Sequence, residues 1–102
     1  MAEFISVAST TEVPPGERIV VEVKNHYVAI FNVDNRLYAI EDVCTHDDGP
    51  LAEGILEGTI IECPRHGAQF DITSGKVIRM PAIKPVPRYD IRTEGDDIQI
   101  LI

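Results

Sequence analysis

Residues 42–72 read DVCTHDDGPLAEGILEGTIIECPRHGAQFDI, and this stretch decides the fold. It contains both cysteines of the chain and two of its three histidines, in the pairs Cys44-x-His46 and Cys63-x-x-His66. Glycine and proline accompany each pair, so each is predicted to lie in a loop. Sixteen residues separate the pairs, a placement that chance would rarely produce. One cysteine and one histidine from each of two loops can together supply four ligands to a metal centre.

The segments on either side of the two loops have the composition of short β-strands. They are rich in β-branched and aromatic residues, or they alternate polar with apolar residues, and none has a convincing helical period. Seven glycines and seven prolines separate the apolar runs, which is typical of an all-β sandwich or barrel. The predicted strands are 19–23, 27–33, 36–41, 59–62, 69–72, 89–92 and 98–102, with hairpin connections at 24–26, 34–35 and 94–97.

Length, composition and net charge exclude several classes of protein. A chain of 102 residues, 44% of them hydrophobic, has the size of one globular domain. Its 9 Lys and Arg against 17 Asp and Glu give a net charge of −8, which argues against binding of nucleic acid. The longest apolar run, 27–31, is far too short for a membrane helix, and the N-terminal residues do not resemble a signal peptide. A cytoplasmic protein with no membrane partner is therefore expected.

Two kinds of metal centre combine two cysteines with two histidines. A tetrahedral zinc site is chemically allowed, although structural zinc sites more often use Cys-x₂₋₄-Cys knuckles. In the other, the Rieske [2Fe-2S] cluster, two histidines replace two cysteines on one iron. The spacing Cys44-x-His46-x₁₆-Cys63-x₂-His66 and its surroundings, CTHDDGPLAEG and CPRHGAQFDITSGK, resemble the two cluster loops of soluble Rieske ferredoxins. The resemblance covers most of the chain.

The resemblance implies a Rieske-like antiparallel β-sandwich or barrel. Residues 1–102 would form a single domain, with a small cluster-binding subdomain of two loops, at about 42–72, inserted in the β base. Pro81 would belong to a loop that covers the cluster, the alternative being a spacer at an edge strand, and Phe70 would pack in the core beside it. Gly67 is expected to allow a positive φ or a close backbone approach next to the second histidine.

The resemblance also implies the ligands of one [2Fe-2S] cluster of the Cys₂His₂ type. Cys44 and Cys63 would hold the buried iron, and His46 and His66 would hold the outer iron near the surface. The third histidine, His26, has no cysteine nearby in the sequence and is expected to be a turn or surface residue. Histidine in place of thiolate eases reduction, and Rieske potentials span about −150 to +300 mV.

Four positions in the loops place this chain within that range of potentials. Rieske proteins of respiratory and photosynthetic quinol-oxidising complexes have one extra cysteine in each loop, joined as a disulfide, where this chain has Gly49 and Arg65. Those proteins also have a serine and a tyrosine whose hydroxyls donate hydrogen bonds to sulfur and raise the potential. Ala68 and Phe70 stand there instead and cannot donate. We therefore predict a low potential of about −150 mV.

A soluble Rieske domain that lacks the disulfide resembles the ferredoxin component of bacterial aromatic-ring-hydroxylating dioxygenase systems. Such a protein is an electron carrier and not an enzyme, and it passes single electrons from a flavin-dependent ferredoxin reductase to a terminal Rieske oxygenase, a non-haem iron enzyme. No nicotinamide or flavin fingerprint is present in the sequence. Two alternatives remain open at this point: a Rieske-like small subunit of a larger redox enzyme such as assimilatory nitrite reductase, and a zinc-stabilised interaction module.

The net charge is unevenly distributed along the chain. Residues 37–64 contain seven acidic residues and no Lys or Arg, whereas residues 65–92 contain six basic residues and two acidic ones. The change of sign falls between the two cluster loops. We hypothesise that the first loop presents an acidic docking surface to redox partners, the alternative being that its acids are only solvated. The acids concerned are Asp47, Asp48, Glu53 and Glu57.

Overall fold

The computed structural model describes residues 2–44, 49–65, 67–80, 82 and 84–102. Within these residues the chain forms eleven β-strands and one 3-10 helix, Thr10–Glu12, which confirms the all-β class. No helix in this part of the chain is long and apolar enough to cross a membrane. The strands are β1 Phe4–Ser9, β2 Arg18–Val23, β3 His26–Val33, β4 Arg36–Glu41, β5 Ile55–Glu57, β6 Ile60–Glu62, β7 Gln69–Asp71, β8 Val77–Arg79, β9 Arg88–Tyr89, β10 Ile91–Glu94 and β11 Asp97–Leu101.

The strands form three antiparallel sheets. The terminal sheet has the order β1-β11-β10, the central sheet β2-β3-β4-β9, and the insertion sheet β5-β6-β7-β8. In the terminal sheet the two ends of the described chain meet, because Phe4 pairs with Leu101. The insertion sheet is a simple meander that leaves the central sheet after β4 and returns to it at β9.

The central sheet is covered on both faces, and β3 shows this in its sequence. Val28 and Ile30 pack in a base core together with Ile98 and Ile100 of the terminal sheet. The alternate residues of β3 point the other way and pack in a second core, which we call the site core. Side chains alternate across a strand, so a strand that is buried on both faces is apolar without interruption, as β3 is from residue 28 to residue 31.

Two tight hairpins set the register of the central sheet. Lys24 and Asn25 have φ values of 49° and 65°, and Asp34 and Asn35 have φ values of 54° and 69°. Two successive residues with positive φ are typical of the type I′ turn, which matches the twist of the strands it joins. The hairpin connection predicted at 24–26 is therefore one residue too long, since His26 already pairs with Val23 as part of β3.

The insertion is more regular than a pair of loops. Predicted strands at 59–62 and 69–72 correspond to β6 and β7, but β5 and β8 flank them and complete a four-stranded sheet. β5 and β8 are the outer strands of this sheet and contain no fully buried residue, so no apolar pattern marks them as it marks β6 and β7. The predicted strand at 89–92 is in fact two short strands, β9 and β10, that lie in different sheets and are separated by Asp90.

Candidate metal centre

The two cysteine loops are closed in the same way. The backbone N–H of Cys44 donates to the carbonyl of Gly49 at 2.6 Å, and the N–H of Cys63 donates to the carbonyl of Ala68 at 2.7 Å. In each case the bond joins a cysteine to the residue five positions later. Each closed span contains one of the two histidines that the sequence pairs with these cysteines. The same closing hydrogen bond therefore occurs at both cysteines, which agrees with two equivalent contributions to a single site.

Both cysteine side chains are buried in the same core. Cys44 has an exposed fraction of 0% and Cys63 of 1%, and both belong to the site core, between the central sheet and the insertion sheet. Neither forms a disulfide. Two buried thiols in one cluster of apolar side chains fit the inner end of an iron–sulfur cluster, because thiolate is the ligand that such clusters use. The other members of the site core are Ala29, Phe31, Ile40, Leu51, Ile61, Ala68, Phe70, Ile72, Ala82 and Val86.

Several predicted site residues lie outside the described part of the chain. These are His46 and His66, the acids Asp47 and Asp48, and Pro81. Their predicted roles stay predictions.

Residues next to these positions agree with the predictions where the structure describes them. Gly67 has a φ of 75°, as predicted, and its N–H donates to the carbonyl of Cys63 at 3.2 Å. Ala82 and Val86 are buried in the site core, so the segment that follows Pro81 lies against the cysteines' core. Phe70 is fully buried there, as expected.

One segment that the sequence analysis did not single out connects the two cysteine loops. Residues 51–54, which we call the bridge segment, follow the first loop and precede β5. The Oδ1 atom of Asp42 accepts hydrogen bonds from the N–H groups of Leu51 and Ala52, at 2.9 and 2.7 Å. The Nη1 atom of Arg18 donates to the carbonyls of Ala52 and Gly54, at 3.0 and 2.8 Å. These contacts join residues up to 36 positions apart, so no local sequence pattern predicts them.

His26 lies on the surface, as predicted, and forms part of a small polar group. Its side chain is 49% exposed, and its Nδ1 atom lies 3.1 Å from Oε1 of Glu41. The hydroxyl of Tyr89 donates to the same carboxylate oxygen. Burial, and then the hydrogen bond and charge of Glu41, raise the pKa of Tyr89 far above its usual value. The group joins β3, β4 and β9 at the end of the central sheet that leads into the first cysteine loop.

The insertion sheet carries opposite charges at its two edges. Glu53 and Glu57 are exposed at the β5 edge, whereas Lys76 and Arg79 are exposed at the β8 edge. Because β5 and β8 are the outer strands of this sheet, the change of sign along the sequence becomes a separation of charge between the two edges of the sheet.

Residues 3–90 match the family model of the Rieske [2Fe-2S] domain. The chain belongs to the Rieske [2Fe-2S] family, and its cofactor is a [2Fe-2S] cluster. It is 42% identical over 98 residues to the biphenyl dioxygenase ferredoxin subunit of Pseudomonas sp. (strain KKS102), a match that covers 95% of this chain and 90% of that protein.

Solved structures give the same result. The ferredoxin of carbazole 1,9a-dioxygenase from Nocardioides aromaticivorans IC177 is 28% identical, with a TM-score of 0.89, and the match covers 95% of both chains. A structure of reduced oxygenase in complex with oxidized ferredoxin, also of carbazole 1,9a-dioxygenase, matches at 30% identity with a TM-score of 0.87, over 95% of this chain and 91% of the matched chain.

A protein assigned as the small subunit of an NADPH nitrite reductase shares the fold as well, with a TM-score of 0.83 over 98% of this chain and 99% of that chain, but at 17% identity. Likeness at that identity shows the fold alone.

Proposed function

We propose that the chain is the ferredoxin component of a dioxygenase system, a one-electron carrier between a flavin-dependent reductase and a terminal Rieske oxygenase. The observation that carries the proposal is the similarity to a dioxygenase ferredoxin subunit along nearly the whole chain, at 42% identity. A related ferredoxin is seen in complex with its oxygenase. These matches favour the ferredoxin over the nitrite reductase subunit and the zinc module. Such a carrier would work in the cytoplasm.

We further propose that Cys44 and Cys63 bind the inner iron and that His46 and His66 bind the outer iron, within one Rieske domain of residues 1–102. The burial of both thiols in one core supports this, as does the shared closure of the two loops. When bound, the cluster takes up and releases one electron at a time.

The chain's own residues would keep the inner side of the site dry. Leu51, Phe70 and Ala82 are at most 1% exposed and share the core of the two thiols. Apolar burial keeps water from the thiolates and controls the redox potential through the local dielectric. Cysteine ligands on the buried side and histidine ligands on the outer side would give the electron one short route, through the imidazoles, to a partner.

The test begins with the purified protein. We expect a red-brown protein with two irons per chain that bleaches on reduction and gives a rhombic Rieske EPR signal with dithionite. A catalytic amount of a flavin-dependent ferredoxin reductase should reduce it, and the reduced protein should be reoxidised by a terminal Rieske oxygenase. Stoichiometric zinc in a colourless protein would support the zinc module instead. Isolation only as part of a larger enzyme would support the subunit alternative.

Replacement of Ala68 by serine should raise the reduction potential. Ala68 is fully buried in the core of the two cysteines, and its carbonyl accepts from the N–H of Cys63. A hydroxyl there can donate to cluster or cysteine sulfur and favour the reduced state. A hydrogen bond worth about 1 kcal/mol would raise the potential by about 40 mV for a one-electron couple, from a starting value of about −150 mV.

Ala39→Ser is the matched control for that measurement. Ala39 is equally small and 2% exposed, but it packs in the base core on the opposite face of the central sheet. Potentiometry should show no change for this variant. An unchanged potential in Ala68→Ser, or a wild-type potential well above zero, would contradict the explanation of the low potential.

Electron transfer to the oxygenase should slow as salt is added. Acids at the β5 edge would attract a basic patch on the partner, and salt screens that attraction. We expect the rate constant, measured by stopped flow, to fall by about tenfold when the ionic strength rises from about 0.02 to about 0.2 M. Glu53→Gln combined with Glu57→Gln should weaken this dependence, because both side chains are exposed.

A control pair removes two acids elsewhere. Glu94→Gln with Asp96→Asn changes the net charge by the same amount, but these residues lie at the turn between β10 and β11 in the terminal sheet. We expect this pair to keep the wild-type salt dependence. A rate constant that does not change with salt would show that the β5-edge acids are only solvated. Equal effects of the two pairs of substitutions on the salt dependence would show the same.

A further inference from the structure

We propose that Arg18 and Asp42 are positioning residues for the cluster, acting through the bridge segment 51–54. The proposal rests on the proposed function, since it assigns these side chains a role in holding the two cysteine loops at the separation that the cluster needs. Neither side chain is a ligand. Each reaches from the central sheet to backbone atoms of the same four-residue segment.

Asp42 ties the bridge segment to the start of the first loop. Its own N–H donates to the carbonyl of Tyr27 on β3 at 2.8 Å, which fixes its backbone to the central sheet. Its carboxylate then accepts from two successive N–H groups of the bridge, those of Leu51 and Ala52. Because Asp42 precedes Cys44 by two residues, the two ends of the first cysteine loop are held together at one side chain.

Arg18 holds the other side of the bridge segment. Its guanidinium carbon lies 5.6 Å from the ring centre of Phe31, a site-core residue of the neighbouring strand, which orients the side chain toward the insertion. From there one nitrogen donates to the carbonyls of Ala52 and Gly54. Hydrogen bonds with a charged partner are stronger than neutral ones. Arg18 and Asp42 therefore bind two of the N–H groups and two of the carbonyls of the bridge segment.

The bridge segment touches both cysteine loops. Leu51 is fully buried and packs in the core that contains both thiols. Gly54 lies so close to the carbonyl of Glu62 that a Cβ atom on Gly54 would overlap with that oxygen. Glu62 immediately precedes Cys63. A displacement of the bridge would thus change the position of the second cysteine relative to the first.

Ligand geometry depends on such supporting contacts. An iron–sulfur cluster has fixed dimensions, and its ligands must be held in place before it binds. Removal of a residue that orients metal ligands typically lowers metal affinity by about 10- to 100-fold. Loss of either anchor should therefore shorten the lifetime of the cluster and change its electronic environment, while the base of the molecule stays folded.

The first experiment compares Asp42→Ala with Asp42→Asn. Asparagine keeps an oxygen that can accept both N–H groups but lacks the charge, whereas alanine removes both the acceptor and the charge. We expect the half-life of the cluster under a chelator, followed by the loss of visible absorption, to fall by about tenfold in Asp42→Ala. The g values of its reduced EPR spectrum should shift or broaden. Asp42→Asn should keep the wild-type half-life and g values.

The second experiment compares Arg18→Met with Arg92→Met. Arg92 also lies over an aromatic ring, with its guanidinium carbon 3.9 Å from the centre of Phe4, but it belongs to the terminal sheet. Both substitutions remove one positive charge and one cation–π contact. Only Arg18→Met should shorten the cluster half-life and shift the g values. The far-ultraviolet circular dichroism of both variants should match wild type.

The outcomes separate this proposal from the proposed function. If wild type carries no [2Fe-2S] cluster, the proposed function fails and this proposal fails with it. If wild type shows the Rieske signal but Asp42→Ala and Arg18→Met keep its half-life and g values, the positioning role alone is overturned. Equal losses in Asp42→Asn and Asp42→Ala, or in both arginine variants, would assign the effect to charge and likewise overturn it.

Discussion

Replacement of His46 or His66 by alanine should abolish the Rieske EPR signal and most of the bound iron, whereas His26→Ala should retain both. On the proposed ligation each of the first two imidazoles occupies one of the two protein positions on the outer iron, and alanine offers no donor to replace it. The iron content of the purified variants and the EPR spectrum after dithionite reduction measure the effect. All three substitutions remove one imidazole, so only the position differs.

His26 is a suitable control because its surroundings are known. It is half exposed and hydrogen-bonded to Glu41 at the start of β3, and it lies outside both cysteine loops. His46→Cys and His66→Cys add a complementary measurement: a thiolate in place of an imidazole should lower the potential and alter the signal. Full iron and an unaltered signal in His46→Ala or His66→Ala would refute the ligand assignment.

Gly54→Ala should be among the most destabilising single substitutions in the chain. The added methyl group would overlap with the backbone carbonyl of Glu62, which cannot rotate away as a flexible side chain could. Overpacking of this kind costs about 3 kcal/mol at the upper end of its usual range, which lowers the Tm of a domain of this size by more than about 10 °C. Thermal unfolding followed by circular dichroism measures the change.

Gly58 provides the comparison for that measurement. It has a φ of 60°, and a Cβ atom at this position would lie in open space. Asparagine tolerates this left-handed conformation, so Gly58→Asn should leave the Tm almost unchanged. A similar Tm for Gly54→Ala and wild type would mean that the bridge segment can move away from Glu62 without cost.

The fold of the base was predictable wherever the sequence pattern is strong. The continuous apolar run of β3 and the alternation of β4 and β11 identify strands correctly. A strand buried on one face alternates polar with apolar residues, and a strand buried on both faces is apolar throughout. β1 was not predicted. Most of Phe4–Ser9 is half-buried, so its sequence shows no clear alternation, and the strand depends on its pairing with β11. The short strands β5 and β8 likewise depend on their neighbours in the sheet.

The candidate site, too, has features that the sequence predicts and features that only the structure shows. The position of both cysteines outside the strands and the positive φ of Gly67 were predictable, because both follow from local sequence. Arg18 and Gly54 were not, because their contacts join residues 34 and 36 positions apart, or depend on a backbone approach that no side chain marks. The sequence marks Asp42 only as one of several acids, although its carboxylate accepts hydrogen bonds from two N–H groups.

The pairing of β1 with β11 has a consequence for how the chain folds during synthesis. Phe4 pairs with Leu101, so the terminal sheet cannot form until Leu101 has left the ribosome. The strands of the insertion sheet, by contrast, pair only with their sequence neighbours, so they close short loops at little entropic cost. We therefore expect these hairpins, like those of β2-β3-β4, to form on the nascent chain before the terminal sheet. Closure of the terminal sheet would then be the slow, final step of folding.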